Sequence, residues 1–239
     1  DRILHLINQM MDLRKIEKGM MKMRMRETDI IGFINDICNM FEYQAKAKKI
    51  KFKFIHGDEH LAVWIDLANF DKVLVNLLSN AFKYTPTGGK VDITVSHDDK
   101  NMVIEVHDTG EGIPKDKINR IFERFYQSET HTNNRHLGTG IGLDLTNSLV
   151  LLHHGTITAK NNEDGPGATF TVTIPLGNNH LMPDEIAIVN ENKEEQEKPV
   201  EEILKESYNF EKEEQELSAN NNAQNTSKRT KPMLVIVED

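Results

Sequence analysis

Two short segments with period-two alternation, Val91–Ser96 and Met102–Val106, flank the polar link His97-Asp98-Asp99-Lys100-Asn101. That layout reads as an antiparallel hairpin. It stands among helical patterns, so strands and helices alternate irregularly. The sheet is therefore expected to be mixed and helix-backed on one face, an α+β two-layer sandwich.

The helical segments are marked by period and by caps. Ile3, Leu6, Ile7, Met10, Leu13 and Ile16 form one stripe over residues 1–18, ending at Gly19. Met20, Met21, Met23 and Met25 alternate with basic residues and read as a short strand filling the core. Asp29 is a cap for a helix to about Lys49 that buries Ile30, Phe33, Ile34, Ile37 and Phe41, and a strand follows over 50–55. Asp66 caps a helix over about 67–84, which Pro86 and Gly88-Gly89 end. A helix is expected after Pro114, a mobile polar loop over 127–137, and another helix over about 140–154. Strands over 156–159 and 168–174 close the domain near Leu176.

Charge divides the chain sharply. Residues 1–177 hold 22 Lys+Arg and 23 Asp+Glu, a net of -1, whereas residues 178–219 hold 4 and 13, a net of -9. A near-neutral body without a basic stripe argues against nucleic acid as its main partner. Residues 177–232 are expected to form an acidic flexible linker, with short helix a further option within 200–217, because their few large apolar groups cannot offset the entropy of ordering. Residues 233–239, MLVIVED, read as the first buried strand of a further, truncated domain. No run of about 18 apolar residues is present to span a membrane. A single cysteine, Cys38, excludes an internal disulfide and fits a reducing compartment.

Four clusters carry the chemistry. Asn76, Asn80 and Lys83 share one edge of the third helix, with Leu74, Leu77, Leu78 and Ala81 on its buried face. An amide oxygen at Asn80 is a hard neutral ligand suited to Mg²⁺, and Lys83 one turn on can meet a phosphate. Asp108-Thr109-Gly110-Glu111-Gly112-Ile113-Pro114 follows a strand, so Asp108 can accept from an exocyclic amine while Gly110 and Gly112 let the backbone approach a planar ring. Ile121-Phe122-Glu123-Arg124-Phe125-Tyr126 places Phe122 and Phe125 as packing anchors. Gly138-Thr139-Gly140-Ile141-Gly142-Leu143 opens a helix, where backbone N–H groups favour phosphate. Walker-type and Rossmann loops are excluded: no G-x-x-x-x-G-K-[ST] occurs, and Leu143 takes the place of the last glycine of G-x-G-x-x-G.

In order, NLLSNAFKYT, DTGEGIP, FERFY, GTGIGL and GPGATF resemble the N, G1, F, G2 and G3 boxes of sensor histidine kinases. The resemblance covers residues 28–176 and implies the Bergerat ATP-binding fold, with ATP and Mg²⁺ as ligands. Residues 1–19 look like the second helix of a dimerisation and phosphotransfer hairpin, and 233–239 like the start of a receiver domain with Glu238 and Asp239 as its acidic pair. A hybrid kinase cut at both ends is implied. Asn80 is then the Mg²⁺ ligand, Asp108 the adenine acceptor, and Lys83 a phosphate contact assisted by Asn76. Tyr84, Ile113, Tyr126, Ile141 and Leu143 line the pocket, Gly110 and Gly112 flank the base, Gly138, Gly140 and Gly142 shape the lid and phosphate region, and Thr169 backs the base.

Two departures qualify this. Gln127 stands where relatives often carry Arg, so Arg124 or Arg135 substitutes or transfer weakens. No acceptor box surrounds His5, His97 or His107, so the chain alone is expected not to autophosphorylate. The same fold serves gyrase-type ATPases, which place a general-base Glu where Asn76 stands; an amide cannot take that proton, which favours phosphotransfer. A non-catalytic nucleotide-binding or docking module is the alternative. The implied partners are the histidine-bearing hairpin and a receiver in cis. The parent is expected to be a membrane-anchored homodimer with this part cytoplasmic, and the fragment monomeric or weakly associating.

Overall fold

The structure is a computed structural model that describes residues 2–126 and 140–187, with side chains from Leu6 onward. Helix α1 (Arg2–Glu17) is followed by β1 (Arg26–Asp29), α2 (Ile30–Lys48), β2 (Lys51–His56), β3 (Ala62–Ile65), α3 (Leu67–Tyr84), β4 (Lys90–His97), β5 (Asn101–Asp108), α4 (Gly142–Leu152), β6 (Thr156–Asn161) and β7 (Ala168–Pro175). Five strands form one sheet in the order β2-β4-β5-β7-β6. Only β2 and β4 run parallel, so the sheet is mixed, and β4 and β5 pair from Val91 opposite Asp108 to His97 opposite Met102.

Alternation decides which face is covered. Val91, Ile93 and Val95 of β4, Met102, Ile104 and Val106 of β5, and Val172 and Ile174 of β7 are buried with α2, α3 and α4. Phe82 of α3 stacks on Phe41 of α2 at 5.3 Å and meets Phe52 of β2 edge-on at 5.1 Å, which joins both helices to the parallel edge of the sheet. The caps sit where the sequence puts them. Asp29 accepts from the Ile31 N–H at 3.2 Å, and Asp66 accepts from the Asn69 N–H at 3.2 Å. The α+β two-layer sandwich is thus observed.

Four features differ from expectation. The methionines do not form the strand: Met25 makes one isolated bridge and β1 starts at Arg26, although Met23 and Met25 are buried as core filler. Strand β3, four residues apolar throughout and so without a polar/apolar alternation in sequence, pairs antiparallel with β1, Arg26 opposite Ile65. After Pro114 there is no α-helix but a chain of three-residue turns, Lys117 N–H to Pro114 O, Arg120 to Lys117, Glu123 to Arg120 and Tyr126 to Glu123, with one 3₁₀ turn at Ile118–Arg120. Ile118, Ile121 and the Phe122–Phe125 pair repeat every three residues, which suits three residues per turn rather than 3.6.

The fourth is at the far end. Residues 177–187, assigned to the flexible linker by composition, instead return to the domain. Met25 N–H donates to Glu185 O at 2.6 Å, Ala187 N–H donates to Met25 O at 2.9 Å, and the Glu185 carboxylate lies 3.0 Å from His154 Nε2. Backbone pairing and this side-chain hydrogen bond supply the binding that composition did not signal. Residues 188–239, including the rest of that linker and the terminal strand expected at 233–239, lie outside the described residues.

Candidate functional site

Helix α3 is the spine of the site. At its C-terminal end the Tyr84 carbonyl abuts Gly110, where a Cβ would stand 2.7 Å from that oxygen. Two turns earlier the Asn76 side chain fills the space beside Gly142, so that a side chain there would overlap it. Eight residues of helix separate the two contacts, about 12 Å. The glycine-rich loop after β5 and the start of α4 are therefore pinned at the two ends of one helical edge, with Asn80 midway.

Asp108 ends β5 and is 5% exposed. Its Oδ1 accepts the Gly110 N–H at 2.7 Å. Burial pushes its carboxyl up, and hydrogen bonds from the Gly110 and Ala168 amides together with the charge of His107 oppose this without cancelling it. Such a carboxyl is a fixed acceptor in a dry wall. Thr109 locks the same loop to β4, since its hydroxyl accepts from Lys90 N–H at 2.8 Å.

At the opposite end Ile141 is the N-cap of α4 and supplies no side-chain cap. The residue at the N-cap thus brings no polar side chain of its own to the first-turn amides, a sequence choice that suits an anion. Leu143 is half-buried there and packs on the core. Gly140 accepts the Phe125 N–H at 2.8 Å, so the two flanks of residues 127–139 meet. Gly138, Gln127 and Arg135 lie outside the described residues.

The remaining candidates fall around this frame. Asn80, Lys83 and Tyr84 are half-buried on α3, and Lys83 Nζ lies 5.5 Å from the Tyr84 ring. Tyr126 has a buried hydroxyl without a hydrogen-bond partner among the described residues, and the Arg120 guanidinium covers its ring at 4.9 Å. The Asn76 amide donates to Thr146 Oγ1 at 2.7 Å, so in this structure it serves the α3–α4 junction. Thr169 donates to Asn162 Oδ1 at 2.8 Å and lies 3.1 Å from His107 Nδ1. Arg124, one of the two substitutes expected for an arginine at Gln127, donates from Nη1 to Glu17 Oε1 at 2.6 Å and so joins the end of α1.

Three residues escaped the sequence reading: Thr146, Asn161 and Asn162. Thr146 sits four residues after Gly142, the helical spacing that would have placed its hydroxyl on the Gly142 carbonyl. The asparagine pair at the end of β6 grips the loop after β5, and its only sequence signal is a polar pair before a turn. Among the described residues no group of three or more His, Cys, Asp or Glu could hold a metal. Asn80 carries a neutral amide oxygen, a donor type that suits an ion taking few protein ligands and keeping phosphate oxygens and water.

Residues 65–178 match the family of histidine kinase-, DNA gyrase B- and HSP90-like ATPases. Histidine kinase P4 of Formosa agariphila is 35% identical over 189 residues, 78% of this chain and 14% of that protein. The chain carries a histidine kinase catalytic domain. A second relative, hybrid signal transduction histidine kinase D of Dictyostelium discoideum, is 36% identical to it over 179 residues, 73% of the chain and 12% of the relative. The nucleotide-free catalytic domain of histidine kinase ThkA shares the fold with a TM-score of 0.58 and 28% identity, covering 64% of this chain and 99% of that one. The chain therefore spans about a seventh or less of the two full-length kinases. In all three comparisons the shared portion is, or contains, the ATPase domain whose α3, β5 loop and α4 start have just been described. No helix among the described residues is long and apolar enough to cross a membrane.

Proposed function

We propose that this histidine kinase catalytic domain binds Mg-ATP along the α3 edge and presents the γ-phosphoryl group to a histidine on a separate dimerisation hairpin. The observation that supports the reading is the placement of a buried acceptor, Asp108, and a helix start whose N-cap residue, Ile141, offers no polar side chain, at opposite ends of an edge about 12 Å long. An extended nucleotide has a base at one end and phosphates at the other, which suits those two chemistries. Asp108 would accept from the adenine amine, Gly110 would let the ring lie against the backbone, and the first-turn amides of α4 would meet phosphate oxygens. Asn80, midway, would ligate Mg²⁺, which when bound neutralises phosphate charge, and Lys83 would add a second cation.

Phosphotransfer is favoured over hydrolysis by what stands at position 76. The Asn76 amide cannot accept a proton and is occupied by Thr146. Water therefore lacks a base there, and the phosphoryl group would wait for an imported imidazole. The word hybrid in the name of the Dictyostelium relative supports onward relay to a receiver aspartate in cis. In the parent, this domain would act as part of a cytoplasmic homodimer.

The test is a calorimetric titration with a non-hydrolysable ATP analogue, with and without Mg²⁺, on wild type and Asp108→Asn. Saturable binding that strengthens with Mg²⁺ and falls at least tenfold in Asp108→Asn is expected, followed by acid-labile phosphate on an added hairpin but not on this chain alone. Wild type that fails to bind would leave a docking module of the same fold.

A further inference from the structure

We infer that Asn161 and Asn162 are positioning residues for base recognition, an inference that rests on the nucleotide reading above. They end β6 and begin the turn to β7, and neither belongs to the clusters from which the site was assembled. Their side chains nevertheless hold the loop that carries Asp108.

The Asn161 amide pairs with one residue of that loop from both sides. Its Oδ1 accepts the Ile113 N–H at 2.7 Å, and its Nδ2 donates to the Ile113 carbonyl at 2.6 Å. A side-chain amide used in this way copies the two-bond pairing of a neighbouring strand, for a loop that has no strand beside it. Gly112, immediately before, has φ +75°, and a Cβ there would stand 2.9 Å from Asn161 Oδ1. The amide thus fixes both the conformation and the path of the Gly110–Ile113 turn.

Asn162 acts at the other end of the loop. Its Nδ2 donates to the Asp108 carbonyl at 2.7 Å and to the Pro166 carbonyl at 3.0 Å, and its Oδ1 accepts from Thr169 Oγ1 at 2.8 Å. Its backbone N–H donates to Gly167 O at 3.1 Å. One side chain therefore joins Asp108 to the β6–β7 turn and to β7. Together the two asparagines hold residues 108 and 113, the first and last backbone points around Gly110 and Gly112. Within the turn, Gly110 N–H already holds the Asp108 carboxylate and Thr109 holds β4, so the part the asparagines add is the placing of the Asp108 carbonyl and of the far side, Gly112 and Ile113, relative to that carboxyl. A base is selected over another by such fixed polar groups, because a misplaced acceptor loses its hydrogen bond without losing the stacking surface.

The experiment is a competition titration of the full 239-residue chain. A labelled non-hydrolysable ATP analogue is displaced by ATP or by GTP in wild type, Asn161→Ala, Asn161→Asp and Asn162→Ala, each checked for folding by circular dichroism. Asn161→Ala is expected to weaken ATP binding roughly tenfold and to narrow the preference for ATP over GTP by a similar factor, the scale of one or two lost hydrogen bonds. Asn161→Asp keeps the acceptor for the Ile113 N–H and is expected to fall between. A folded Asn161→Ala that binds as wild type overturns the inference, and so does one that loses affinity with the ATP/GTP preference intact, which marks a purely structural role. Should Asn161→Ala not fold, Asn161→Asp and Asn162→Ala carry the same two readouts. Wild type that binds neither nucleotide overturns the nucleotide reading, and this inference with it.

Discussion

The amide of Asn76 donates to the Thr146 hydroxyl at 2.7 Å, and that hydroxyl donates in turn to the Gly142 carbonyl at 2.9 Å. One side chain of α3 thereby sets the register of the first turn of α4. Thr146→Val keeps the shape and removes the relay, leaving the Asn76 donor unpaired. A loss of about 1–2 kcal/mol in urea unfolding is expected. Gly142→Ala places a methyl group against the Asn76 amide and is expected to cost about 1–3 kcal/mol. Unchanged midpoints in both variants would refute the junction.

His153 is 1% exposed, accepts the Asp66 N–H at Nε2 and donates from Nδ1 to Leu149 O. Burial lowers its pKa below the ordinary 6.5, against the pull of the Leu149 carbonyl and Asp66. The unfolded chain therefore binds the proton first, and stability falls as pH drops below about 6.5. Because other groups titrate in the same range, the readout is a difference: from about pH 7.5 to 5.5 the urea midpoint of wild type should fall relative to that of His153→Gln. Parallel slopes would remove His153 from the acid response.

Asp71 gives the opposite sign. It is 2% exposed, neither carboxylate oxygen has a hydrogen-bond partner among the described residues, and burial pushes it up to about 7. The folded state keeps a proton that the unfolded chain releases near 3.8, so this contribution is present below that pH and is lost as pH rises through about 7. Asp71→Asn should stabilise the chain by about 1–4 kcal/mol at pH 8, with the difference vanishing near pH 4. A variant less stable than wild type at pH 8 would mean that the carboxylate has a use the geometry does not reveal.

Helix α1 is held to the body by Leu13, 2% exposed, and by two charge pairs, Lys72 with Asp12 at 2.9 Å and Arg124 with Glu17 at 2.6 Å. Glu17 is more than half exposed, so that pair is worth about 0–1 kcal/mol at most. Burial of Leu13 is the larger contribution, by about 2–5 kcal/mol on truncation to Ala. Hydrogen exchange should therefore show α1 amides opening in Leu13→Ala while α3 stays protected, and nearly no change in Glu17→Gln. Equal opening in α3 would place α1 inside the cooperative core.

Sequence made the caps and periods legible. Asp29, Asp66 and the β4–β5 hairpin stand where their local chemistry puts them, because each signal is complete within a few residues. Glycine clusters were legible for the same reason, since an unusual backbone needs an unusual residue. What escaped depends on partners far along the chain. Asn161 meets Ile113 across 48 residues, and Asn76 meets Thr146 across 70, with nothing local to announce either bond. Strand β3 exists because β1 pairs with it, and Ala62–Ile65 alone has no period to read. Residues 177–187 were misjudged because composition measures how much apolar surface a segment owns, not whether Met25 offers it free backbone groups.

That last pairing has a mechanical side. Met25 lies on the link from α1 to β1, Ala187 is the last residue described after β7, and the two are hydrogen-bonded at 2.9 Å. The link between α1 and β1 and the segment after β7 thus share one corner of the domain. Met25 uses its N–H on Glu185 and its carbonyl on Ala187, so one residue holds the segment after β7 through both of its backbone groups. Tension on the segment after β7 would therefore be borne first by the link between α1 and β1 and not by the sheet.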